Sequence, residues 1–211
     1  GLRRQAIGLI SILRGLNLSL SLREMAAAAL AGYAGVVPQK AEIVDEVVTF
    51  IRLRFENDQI AAGYSQELVE AATSVGFDDP VDCLMRIEAL GEIRGQESFR
   101  VLAGSFKRIN NIIKENRQTE ITSALLTEPA EQELFAALET AREKALPLLE
   151  QRHYHQALLV MLEIKEPVDR FFDSVMVMAE DAAIRTNRLN LLTALGALVL
   201  RVGDISKMHA E

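Results

Sequence analysis

Arg100, Lys107, Arg108, Asn111 and Lys114 recur along one stretch, residues 96–116, at intervals that place most of them on neighbouring turns of a helix. Lysine offers a compact positive charge, arginine a planar fork that fits phosphate and base edges, and asparagine both a donor and an acceptor. Groups of these kinds, with aromatic rings, read the unstacked bases of single-stranded RNA. Between Arg94 and Arg117 six cations stand against only two carboxylates, Glu97 and Glu115. A second set, Arg185, Asn187, Arg188 and Asn190, opens the last apolar stretch. Two roles are open to Asn187 and Arg188: contact with RNA, or hydrogen bonding across helix ends inside a bundle.

Other constellations lead to no chemistry. The sequence has no Gly-rich phosphate loop, no HExxH and no CxxC. Glu150-x-x-His153 has the spacing of half a di-iron ligand set, and the rest of the set is missing. His153 and His155 are two apart and do not share a helix face. Cys83 reads as a small core residue, and Met176 and Met178, flanking Val177, as core filler. Glu180-Asp181 reads as the cap of the following helix. No catalytic residue and no metal ligand is assigned.

Composition sets the frame for these groups. The 211 residues allow one or two domains, and 49% are hydrophobic, enough for a sizeable core. The net charge is −7. Such a chain does not hold nucleic acid through its overall charge, so contact with RNA depends on a local basic patch. No apolar run approaches the roughly 20 residues that span a bilayer, and no secretory signal is visible. The single cysteine excludes an internal disulfide and fits a reducing, cytoplasmic setting.

The elements that must position the candidate residues are all helical. A helix opens almost at Leu2. Ser21-Leu22-Arg23-Glu24 has the form of a capping box for a helix over 22–33. A long helix is predicted over 41–62, with Ile43, Val47, Phe50, Ile51, Arg54 and Phe55 along its inner side, and Gly63 ends it. Ser65 caps a helix over 66–75. Asp79, Pro80 and Asp82 suit the start of a helix running to about 94. Helices over 96–116, about 129–151 and 154–164 follow, with an irregular connector at 118–128. In residues 166–208, Val168, Phe171, Phe172, Val175 and Met178 make one helical face. Leu189, Leu192, Leu195, Val199 and Val202, widened by Leu191 and Leu198, make a second, too broad for a surface helix. Strand alternation and long heptad runs are missing, so the fold class is all-α. A division is predicted between 1–78, a helical linker or the end of an upstream domain, and 79–211, a helical bundle.

Two runs carry a resemblance. Pro167-Val-Asp-Arg-Phe-Phe-Asp-x-Val-Met-Val-Met-Ala-Glu-Asp181 is followed by Arg185-x-Asn-Arg-Leu-x-Leu-Leu192 and Asp204-x-Ser-Lys207; Lys107-Arg108-x-x-Asn111-Ile-Ile113 lies upstream. They resemble the C-terminal portion of the bacterial glycyl-tRNA synthetase β subunit, whose end is an anticodon-binding domain of the DALR class. The likeness runs from Leu2 to Met208. The family's Asp-Pro-Phe before the first helix is missing, which implies that the chain begins partway through a longer protein, and a few residues after Met208 exceed the family pattern.

The resemblance implies an α/β enzyme that joins glycine to its tRNA with ATP and Mg²⁺. There the α subunit forms the adenylate, and this portion binds the tRNA anticodon without cofactor, membrane or DNA. The implied contacts are Arg100, Lys107, Arg108, Asn111, Lys114, Arg185, Asn187 and Arg188. Glycine anticodons carry cytosine at two positions, and its exocyclic amine suits a carboxylate or amide oxygen, so an acidic domain can still read bases. A non-catalytic helical scaffold that docks another protein is the alternative.

Overall fold

The computed structural model describes Gly1–Met208; the surplus expected after Met208 falls outside the described residues. Among the described residues there are ten α-helices, two short 3₁₀ turns and no strand. The chain divides into two compact units, Gly1–Glu88 and Ala89–Glu211.

The first unit is organised around α3 (Ala41–Ala61), against which α1 (Leu2–Gly15), α2 (Leu22–Gly32) and α4 (Gln66–Thr73) pack. Val48, Ile51, Phe55 and Gln59 are its buried residues. The inner side thus lies about one residue further round than the sequence pattern suggests, with Val47 exposed and Ile43 and Phe50 half-buried. Phe55 meets Phe77 with ring centroids 5.0 Å apart. The caps are local. Ser21 accepts from the Glu24 amide at 3.1 Å. Ser65 accepts from the Leu68 amide. Asp79 accepts from the amides of Val81 and Asp82 at 3.0 and 3.1 Å, starting α5 (Pro80–Ile93). Gly63, at φ 107°, takes the left-handed turn after α3 that a side chain would resist.

Buried Arg86 closes this unit. Its Nε donates to Asp82 at 3.0 Å, one terminal nitrogen to the Ala72 carbonyl at 2.6 Å and the other to the Gly76 carbonyl at 2.8 Å. A helix leaves its last carbonyls without partners, and here a single guanidinium satisfies the end of α4 and the turn beyond it. Cys83 lies fully buried beside it. Burial pushes its thiol up to about 12, despite the opposing pull of Arg86, so it stays protonated.

The second unit contains α6 (Glu97–Ile113), α7 (Pro129–Glu150), α8 (Tyr154–Leu162), α9 (Lys165–Ser174) and α10 (Ala182–Val199). α7 packs on α8, α9 and α10, and α6 on α8, α9, α10 and the 3₁₀ turn Ile205–Lys207. α10 is the centre: every residue from Asn190 to Gly196 is buried. The broad apolar stripe in the sequence is the cause, since a helix with apolar groups on most sides must be surrounded. Asp181 starts it, accepting from the amides of Ala183 and Ile184 at 2.8 and 3.0 Å.

One expectation here is corrected. α9 stops at Ser174 and the chain runs extended from Val175, so the helical face predicted to reach Met178 is cut short. Val175 and Val177 are buried, whereas Met176 and Met178 are 74% and 62% exposed and are not core filler. Side chains on extended backbone alternate between faces, and the two-residue period sends the valines inward.

Removing the guanidinium with Arg86→Met leaves two carbonyls and the Asp82 carboxylate without their donor. The expected cost is about 3 kcal/mol. It would be read as roughly hundredfold faster hydrogen exchange in α4 and the turn at Gly76.

Candidate RNA-binding surface

α6 separates its residues cleanly. Phe99, Leu102, Ala103, Phe106 and Ile109 are buried. At about 100° per residue, Arg100, Lys107 and Asn111 fall within roughly 40° of one another, turned away from that face; Arg108 lies about a quarter-turn to one side. All four are exposed, as is Lys114. From Arg100 to Asn111 the row is about 16 Å long at the usual helical rise. Among the described residues, the side chains of Lys107, Asn111 and Lys114 make no ion pair or hydrogen bond. Lys114 caps α6 with a left-handed φ of 45°, and there the chain turns into its connector.

The residues at the start of α10 have a different place. Asn187 and Arg188 are 3% and 5% exposed. The Asn187 amide accepts from the Thr122 N–H at 2.7 Å and donates to the Thr122 carbonyl at 3.1 Å. Asn190 donates to the Glu120 carbonyl at 2.8 Å. Asn116 donates to Asn190 at 3.2 Å and to Thr193 at 2.8 Å. Asn187, Asn190 and Thr193, three residues apart, thus hold the connector after α6 against α10 through its own backbone. Arg185 is half-buried and donates to the carbonyls of Ala179 and Glu180 at 2.7 and 3.3 Å, tying down its own loop.

Arg188 is the hub of the unit. Its Nε donates to Glu131, one terminal nitrogen donates to the Met176 carbonyl at 2.6 Å and the other to Thr127 at 3.4 Å. Glu131 is fully buried, and its other oxygen accepts from the Glu128 amide at 2.8 Å. With Glu128 it completes the capping box of α7. Burial alone would raise the Glu131 carboxyl; the hydrogen bonds from Arg188 and the Glu128 backbone outweigh it and hold the group below its usual 4.5.

The structure therefore withdraws Asn187 and Arg188 from the expected surface, because neither can meet a ligand without abandoning buried partners. Arg100, Lys107, Arg108, Asn111 and Lys114 stay together on one exposed side. Among the described residues no group of three or more His, Cys, Asp or Glu side chains is gathered as a metal site would need, and no helix is long and apolar enough to cross a membrane.

An all-helical unit with a central buried last helix and a basic helix beside it defines the class: the DALR anticodon binding domain family matches residues 103–203. The glycyl-tRNA synthetase beta subunit family matches residues 1–74. The glycine–tRNA ligase beta subunit of Trichlorobacter lovleyi is 40% identical over 208 residues, covering 98% of this chain and 30% of the relative. That of Desulforamulus reducens is 39% identical over 213 residues, covering 100% and 31%. That of Serratia proteamaculans is 36% identical over 211 residues, covering 99% and 30%. The chain belongs to the glycyl-tRNA synthetase beta-subunit family, and it spans about 30% of the length of these curated relatives. The part it matches is their C-terminal portion.

Two outcomes follow from the buried pair. Glu131→Gln weakens the Arg188 contact and the capping box at once, and costs about 3 kcal/mol in urea unfolding, while Glu131→Leu with Arg188→Met costs much less. Because the folded carboxyl sits below its usual 4.5, the unfolded chain takes up the proton first. The stability due to Glu131 is complete above that value and drains away as pH falls through the folded pKa. Unfolding curves measured between pH 6 and about 3 should show this acid loss in the wild type and a shallower one in Glu131→Gln. Asn187→Ala leaves both backbone groups of Thr122 unpaired, for about 2 kcal/mol by the same measurement.

Proposed function

We propose that this chain is the tRNA-anticodon-binding module of a glycine–tRNA ligase beta subunit. The observation that carries the reading is the exposed row on α6, where Lys107, Asn111 and Lys114 have no partner within the described protein, in a unit of DALR class. The charge balance supports it as well. A chain of net charge −7 places six cations and two carboxylates between Arg94 and Arg117.

In this reading the lysines and Arg100 neutralise backbone phosphates, and Asn111 presents a donor and an acceptor to base edges. Phosphate contacts set the register, and base contacts carry the sequence preference. ATP and Mg²⁺ act at the adenylate-forming site of the α subunit of the same cytoplasmic enzyme. This chain contributes binding and orientation of tRNA to the glycylation, with no catalytic group and no cofactor of its own. The match to an anticodon-binding domain speaks against a scaffold that never meets RNA.

Replacing Lys107, Arg108 and Lys114 together with alanine removes three charges from exposed positions. In filter binding with glycine tRNA, affinity should drop tenfold or more. The slope of log K against log salt should flatten by about 2, at roughly 0.7 for each lost contact. An unchanged titration, or equal binding of a tRNA with an exchanged anticodon, overturns the reading.

A further inference from the structure

Arg108 is held differently from every other cation of the surface. Its guanidinium lies over the ring of Phe172 from α9, 4.1 Å from the centroid. Phe172 is half-buried and braced edge-on against the fully buried Phe171, with centroids 5.6 Å apart and planes at 73°. Among the described residues no carboxylate or carbonyl engages Arg108. The charged groups along α9 are matched with others: Lys165 with Asp169 at 3.1 Å, and Arg170 with Glu133 and Glu166. By contrast Arg54, over Phe50 at 3.6 Å, also donates to the Phe50 carbonyl. The layers therefore run from the core outward as ring, ring and guanidinium. The last of these is planar and exposed, and its donors lack protein acceptors.

We propose that the Arg108–Phe172 stack is a platform for one unpaired base of the bound RNA loop. The inference rests on the proposed function and deepens it. A guanidinium lying on an aromatic ring has one face occupied, and its outer face suits the π-surface of a base, which arginine planes take in single-stranded recognition. Lys107 and Lys114 hold phosphates as point charges, while Arg108 gives a flat seat. Stacking tolerates any base, so the platform supplies affinity and orientation of the loop. The identity of the bases is read by hydrogen-bonding groups beside it, of which Asn111, one turn along from Arg108, is the nearest on the helix.

The test uses the whole chain and an RNA hairpin carrying the glycine anticodon loop, with 2-aminopurine placed at each loop position in turn. The wild type should quench one position strongly. Arg108→Lys keeps the charge and the salt slope but loses the plane. It should abolish that quench and weaken binding about tenfold. Phe172→Leu, checked for helicity by circular dichroism, should do the same with Arg108 still present. Wild-type quench and affinity in Arg108→Lys, which sits on the surface and leaves the fold intact, overturn the platform, as does a wild type that quenches no position. A wild type that binds no RNA overturns the proposed function itself.

Discussion

The second unit depends on the ion pair between Glu131 and Arg188. One carboxylate, wholly removed from water, caps the first turn of α7 and at the same time pairs with a guanidinium from the middle helix. That guanidinium also holds the Met176 carbonyl. Three segments distant in sequence are thus fixed by one buried pair. Desolvating two charges is expensive, and the cost is offset only when every remaining donor and acceptor is satisfied. Here Thr127, Glu128 and Met176 provide those partners, so the pair specifies an arrangement as well as stabilising it.

From this follows the division of labour among the polar groups. The asparagines and arginine at the start of α10 look, by type, like RNA readers. Their hydrogen bonds instead hold the connector of residues 116–122, which begins where α6 ends. They act on the exposed row indirectly, by fixing the backbone beyond Lys114. The cations that remain exposed lie on α6, and there an acidic chain keeps a local excess of positive charge. The Phe171–Phe172 pair shows the same economy: one ring anchors in the core and the other carries Arg108 at the surface.

Much of the fold was legible because its causes are local. Ser21, Ser65, Asp79 and Asp181 cap the helices that their types and positions suggest, and the broad stripe of α10 announces burial. The α6 row was legible too, since a fixed helical period converts spacing into a face. The errors arose where a period changed or where a polar residue had two possible partners. Met176 and Met178 were expected inside because helical spacing was extended past Ser174; the chain is extended there, and the period of two turns them out. Arg86 drew no attention, because nothing in its neighbourhood in sequence reveals that carbonyls at residues 72 and 76 lie within its reach.

By itself the sequence determined the helical class, most helix starts, the inner face of α6 and the kinship with the glycyl-tRNA synthetase beta subunit, since all of these depend on neighbours a few residues away. Only the tertiary structure decided that Asn187 and Arg188 lie inside and Phe172 near the surface beneath Arg108. An arginine or asparagine has the same hydrogen-bonding capacity in water as in a core. Which of the two it enters depends on whether the packing of distant helices brings Glu131 or Thr122 to meet it.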